Sequence, residues 1–346
     1  MLSKKLLGSK SAGGTSSALA VAHSTPAPTI TVYEWSEAGF GAKFADAASP
    51  ISGTSNTPVF TSDGTVLAVT NNGTPYIHAY AWSSSGFGTK FADPSPTPGA
   101  ICYAVAFHPV STAICLGTNT SPFIHAYPWS SSGFGTKFAN PATLPSDDVR
   151  GIMFSPDGTA VAAAYIASPY INIYAWSGSG FGAKFANPAT LPTGQGRNVA
   201  FNNDGTALAV AHYTSPCITV YPWSSSGFGT KFADPSTLPA GGFGTATKFS
   251  PDGTALAVGH TTSPYITVYP WSSSGFGTKF SNPATLPTSN VAGIAFSADD
   301  TALAVAHSTS PRITVYPWSS SGFGTKFANP ATLPPSSAFG CAFSPN

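Results

Sequence analysis

Charge is what this chain of 346 residues lacks most: Asp, Glu, Lys and Arg together make up 8% of it and the formal net charge is +1. That excludes the basic stripe of a nucleic-acid-binding protein and the charge density of a solvated disordered tail. Acids are scarce, and the two glutamates, Glu34 and Glu37, stand close together, which argues against a glycosidase with paired carboxylates. The four cysteines, Cys102, Cys115, Cys217 and Cys341, have no CxxC spacing and read as buried thiols rather than a zinc knuckle or a disulfide framework. No apolar run approaches the roughly 18 residues of a membrane span. Leu6-Leu7 behind Lys4-Lys5 is cut off by Gly8, too short for a signal-peptide core. No segment has a helical period, no serine sits in a GxSxG elbow, and the Gly-Phe-Gly and Ser-Pro-Asp-Gly segments lack the context of phosphate or calcium loops. No catalytic residue, cofactor or metal is expected on these grounds.

What the chain has is a repeat. Its seven tryptophans, Trp35, Trp82, Trp129, Trp176, Trp223, Trp271 and Trp318, are 47, 47, 47, 47, 48 and 47 residues apart. Each is followed by Gly-Phe-Gly and a Lys-Phe pair, and a fixed period of this length marks a propeller or a solenoid. One copy, 291–333, divides into four strand-like pieces: VAGIAFS, a tight turn, TALAVAH, a Ser-Thr-Ser-Pro loop, RITVYPW, and FGTKFAN after Ser-Ser-Ser-Gly. Both faces of the third piece are apolar, as in a sheet covered on both sides. Four antiparallel strands per repeat, stacked face to face, give an all-β, seven-bladed β-propeller. The first copy begins at its second strand and the chain stops at a lone first strand, 339–346, so the two ends are expected to share the closing blade. The domains read as an arm, 1–16, with a candidate docking role, and a propeller, 17–346.

With its Ser-Pro-Asp-Gly turn, the Trp closing the third strand and the split blade, the chain resembles the WD-repeat propellers over about 17–346. It departs from them where Ser or nothing replaces the Asp after the Trp and where the Gly-His pair is missing, so the family's Asp–His network does not carry over. The near-identical YPWSSSGFGTKFANPATLP copies also resemble repeat proteins encoded among the structural genes of tailed bacteriophages.

Candidate sites follow from comparing copies. His23, His212, His260 and His307 share the end of the second strand, where other copies have Asn71, Thr118 and Tyr165. Lying on separate blades, they cannot converge within the roughly 2.0–2.3 Å that zinc requires, and they read as hydrogen-bonding partners of adjacent loops with a candidate place on a binding face. His78 and His125 read as solvent-facing third-strand residues. Lysines 43, 90, 137, 184, 231, 279 and 326 recur on the outermost strand, where lysine guards an exposed edge. Variation gathers in the connections between blades, so Asp147, Asp148, Arg150, Gln195, Arg197 and Asn290 form a candidate binding face at one mouth of the channel. The expected function is a non-enzymatic virion surface component, a capsid decoration or tail adhesion protein. Its partners would be virion proteins held through the arm or a glycan, with no nucleic acid and no membrane insertion. An intracellular interaction scaffold in the cytoplasm and a lectin using Tyr76, Phe123, Tyr170 and Tyr265 are the alternatives.

Overall fold

A computed structural model describes residues 17–345; the candidate docking arm, 1–16, lies outside the described residues. There are seven sheets of four antiparallel strands, each numbered outward from the axis in chain order except the last. In that closing sheet the inner strand Ala338–Phe343 comes from the C-terminal end and pairs with Ser17–His23 from the N-terminal end. The expected ring closure is therefore present, and the two chain ends complete the seventh four-stranded sheet.

The constant parts of the repeat hold blade to blade. Each tryptophan is buried and touches three phenylalanines edge-on: Trp82 meets Phe87 of its own outer strand, Phe60 at the end of its inner strand, and Phe44 from the blade before, with centroids 5.1, 5.6 and 5.1 Å away. Phe44 belongs to the Lys-Phe pair of the preceding copy. The same contact recurs as Phe91–Trp129, Phe138–Trp176, Phe185–Trp223, Phe232–Trp271, Phe280–Trp318 and, around the seam, Phe327–Trp35. Such pairs add about 0.5–1.5 kcal/mol beyond the area they bury. The outer-strand glycine is fixed by the same contact: Gly86 has φ of 94°, and a Cβ there would come within 2.9 Å of the Phe44 ring.

A second tie runs through the third-strand tyrosine, buried in every blade. Tyr80 donates its hydroxyl proton to the Ser49 carbonyl at 2.7 Å, and Tyr316 to that of Thr285 at 2.7 Å, both in the loop leaving the previous blade. The connection thus supplies a backbone carbonyl acceptor to the next blade, whether it reads Ala-Ala-Ser-Pro or Asn-Pro-Ala-Thr-Leu-Pro.

The recurrent lysines are not a free positive ring. In four copies the outer strand is only a Gly-Phe pair that ends before the lysine, and in every copy the ammonium bonds to the Asp or Asn three residues on, as Lys231 to Asp234 at 2.5 Å and Lys326 to Asn329 at 2.6 Å. Lysine here fastens the turn that delivers its phenylalanine neighbour to the next tryptophan.

Candidate functional site

The seven inner strands surround the axis, and all carry a break in register after their first residue. A bulge of this kind leaves one residue unpaired and re-aims its side chain. Just beyond the bulges the strands approach closely. A Cβ on Gly340 would lie 2.5 Å from the Asn56 carbonyl oxygen, and one on Gly151 would lie 2.6 Å from Asn198 Cα. Thr57 Oγ1 donates across another blade boundary to the Tyr103 carbonyl at 2.7 Å. The channel is pinched on the side of the blade connections.

Past that pinch a cavity of about 500 Å³ opens toward the opposite mouth, where the first turn of each blade sits. Its wall is mostly apolar, with Val105, Ile152, Phe154, Val199, Ile294 and Phe343 among the lining side chains. One charge enters it. Lys248, next to last on the inner strand Gly244–Phe249, lines the cavity at a column where the sister blades have Val59, Ala106, Met153, Ala200, Ala295 and Ala342. Among the described residues it has no hydrogen bond and no ion pair, and burial lowers its pKa below the ordinary lysine value. A lysine held this way is a cation seeking an anion or, once deprotonated, a base and nucleophile.

Polar neighbours line the same wall. Asn198 accepts the Thr247 amide proton on Oδ1 at 3.2 Å, so its Nδ2 donors point elsewhere. His108 is occupied: Nε2 donates to the Gly158 carbonyl at 3.2 Å, which leaves Nδ1 to accept from Thr112 Oγ1 at 3.2 Å. No cluster of three or more His, Cys, Asp or Glu able to hold a metal occurs among the described residues.

The face expected from the variable connections lies at the other, pinched mouth. Asp148 and Arg150 form an ion pair at 2.6 Å, Asp147 Oδ1 accepts the Asp148 amide, and Arg197 stands on the neighbouring blade. Gln195 is exposed beside them, whereas Asn290 is bonded to Ser308 at 2.7 Å two blades further round.

The four repeat histidines do not belong to either mouth's surface. His23, His212, His260 and His307 have no exposed area, and each bonds a third-strand threonine, Thr31, Thr219, Thr267 or Thr314, at 2.9–3.0 Å. Their place on a binding face is corrected by this burial, while a bond from Nδ1 to an adjacent loop is present in His23, His212 and His307, as His23 Nδ1 to the Ser24 carbonyl at 3.1 Å, and His260 Nδ1 has no partner. His78 and His125 also depart from expectation. They are buried, at 6% and 4% exposure, and neither ring has a hydrogen-bond partner. Where the second strand ends in Thr118 instead of histidine, the third carries His125 instead of threonine; the imidazole has changed sides of one packed pair.

No family model and no curated protein sequence matches the chain. Solved structures do match in fold. A protein of Bacteroides uniformis, provisionally named a 6-phosphogluconolactonase, superposes with a TM-score of 0.74 at 16% identity, over 95% of this chain and 100% of its own. The periplasmic gluconolactonase of Pseudomonas aeruginosa gives 0.71 at 16% over 95% and 99%, and a Desulfotomaculum acetoxidans protein of unknown function gives 0.70 at 15% over 96% and 100%. At this identity the likeness is one of fold. It nonetheless overturns the expectation of a non-enzymatic virion component, scaffold or lectin, since propellers named as lactonases cover the whole ring. Nor do the aromatics proposed for sugar stacking stand free: Tyr76, Phe123 and Tyr265 pack against the blade cores.

Proposed function

We propose that the cavity beyond the pinch is an active site for opening a small, anionic sugar-acid lactone. The observation that carries this reading is Lys248, a lysine without a partner among the described residues in a mostly apolar cavity. The lactonase names among the structural neighbours supply the substrate class.

The chemistry needs a base for water, a donor for the carbonyl oxygen and a proton for the ring oxygen as it leaves. Neutral Lys248 takes a proton from water while the water oxygen bonds to the lactone carbonyl carbon. Asn198 Nδ2 donates to the oxygen that gains charge. The ring C–O bond then breaks and the Lys248 proton passes to the departing alkoxide, giving the hydroxy acid and restoring the amine. A lowered lysine pKa serves this role because it raises the neutral fraction near pH 7. The WD-like turns are scaffold features in this reading.

Proton release from glucono-1,5-lactone and its 6-phosphate, measured against the uncatalysed reaction, tests the proposal. Catalysis by the wild type that falls at least about 100-fold in Lys248→Met supports it. A wild-type rate equal to buffer, or full activity in the variant, removes it.

A further inference from the structure

The bulge residues of the seven inner strands form a ring around the pinched mouth: Asn56, Tyr103, Arg150, Arg197, Thr245, Ala292 and Phe339. Their backbone setting repeats, yet no two neighbours share a side chain except the arginines. The strongest chemistry is concentrated on one arc. Arg150 lies over the Tyr103 ring with its guanidinium carbon 3.6 Å from the centroid, and Arg197 lies over Tyr213 at 4.5 Å. Stacking flattens each guanidinium against a phenol and leaves its edge to donate.

The two cations are in electrostatic reach of each other and of Asp148. Arg150 donates through Nη2 to the Asp148 carboxylate, which occupies one edge of the guanidinium, while Arg150 Nε is buried without a partner. Arg197 has no hydrogen bond or ion pair among the described residues. Asp148 is paired with Arg150 and Asp147 is turned to the Asp148 amide, so Arg197 is left as the unpaired cation of the arc. Beside them Phe243 is 47% exposed and meets Tyr213 edge-on at 4.9 Å, which gives the charged arc an apolar flank.

We propose that this arc is a second ligand site, separate from the channel cavity, that binds an oxoanion carried on a small flat organic body. Arg197 and the free edge of Arg150 take the oxygens, and Phe243 covers the ring. The donors suit phosphate and carboxylate alike, because a guanidinium fork matches two oxygens of either.

Calorimetric titration of the full chain with phenyl phosphate, benzoate and inorganic phosphate tests the site. Phenyl phosphate or benzoate should bind, and the tighter of the two identifies the oxoanion. Arg197→Gln should weaken that binding about ten-fold or more, and Phe243→Ala should bring the aryl ligand down to the level of the bare anion. Asp148→Asn should act in the opposite sense, tightening binding several-fold by releasing the Arg150 edge, a gain that misfolding cannot imitate. Lys248→Met should leave all of these values unchanged. Binding lost in Lys248→Met but kept in Arg197→Gln would move the anion into the channel and overturn the proposal, as would failure of the wild type to bind any of the three. Either result is independent of whether the cavity opens lactones.

Discussion

The ring of Phe44, from one blade, stands edge-on to the indole of Trp82, from the next, at a centroid distance of 5.1 Å. Because this contact closes every blade boundary, the lysine and phenylalanine of one repeated pair have separable roles. Phe44→Ala should lower the unfolding free energy by about 2–4 kcal/mol, the range for truncating a large aromatic that is not fully enclosed. Lys43→Ser removes an exposed ion pair to Asp46 and should change it by less than about 1 kcal/mol. Urea denaturation of the two variants checks the contrast, and equal losses would assign the blade tie to the lysine turn.

The histidines predict how stability follows pH. Burial depresses His78, His125, His260 and His307 to about 4, and it lowers His23 and His212 as well. Between the unfolded value of about 6.5 and the folded value, the unfolded chain binds more protons, so stability falls as pH falls. Above pH 6.5 these groups contribute no slope. Each can contribute up to about 1.4 kcal/mol per pH unit inside its window, so four together reach at most about 5.6 kcal/mol per unit. Denaturant titrations from pH 7.5 to 5 should be flat above 6.5 and fall steeply below it; a flat profile throughout would mean that the histidines are solvated in solution.

Asp300 works in the other direction. It occupies the turn position that is Gly253 in the preceding blade, with φ of 60°, and its carboxyl is pushed up to about 7 by burial and by Asp252 beside it. A raised folded pKa means a contribution present below about pH 4 and lost as pH rises through 7. Asp300→Gly relieves both the left-handed backbone and the carboxyl pair. It should stabilise the protein by about 1–2 kcal/mol at pH 8 and by less at pH 5, read from denaturation at the two values.

The strands, the turns and the shared blade follow from residue period and turn chemistry, both local, so they can be read from the chain. Which face of a third-strand residue is covered depends on the neighbouring blade, and that is why His78 and His125 look like surface residues until Asn71 and Thr118 are set opposite them. The variable connections point to Arg150 and Arg197, yet their stacking on Tyr103 and Tyr213 needs the bulges. Lys248 is different. Its departure from a column of valine, alanine and methionine is present in the aligned copies, but it belongs to no motif, and only closure of the ring turns that column into a cavity wall.

A lone lysine in an apolar channel should cost the fold what it gives to chemistry. Its lowered pKa means that the unfolded chain holds the proton more tightly than the folded one, so below the unfolded value of about 10.4 Lys248 opposes folding. Met153 occupies the same column two blades earlier and shows that a long apolar side chain fits this wall. Lys248→Met should therefore raise stability by about 1–2 kcal/mol at pH 7 while abolishing lactone opening, the opposite sign from a residue kept for packing. Thermal unfolding and the proton-release assay on the same preparation check both halves. A variant that is less stable than the wild type would show that the ammonium is satisfied in the folded protein, and the case for a base in the channel would fall with it.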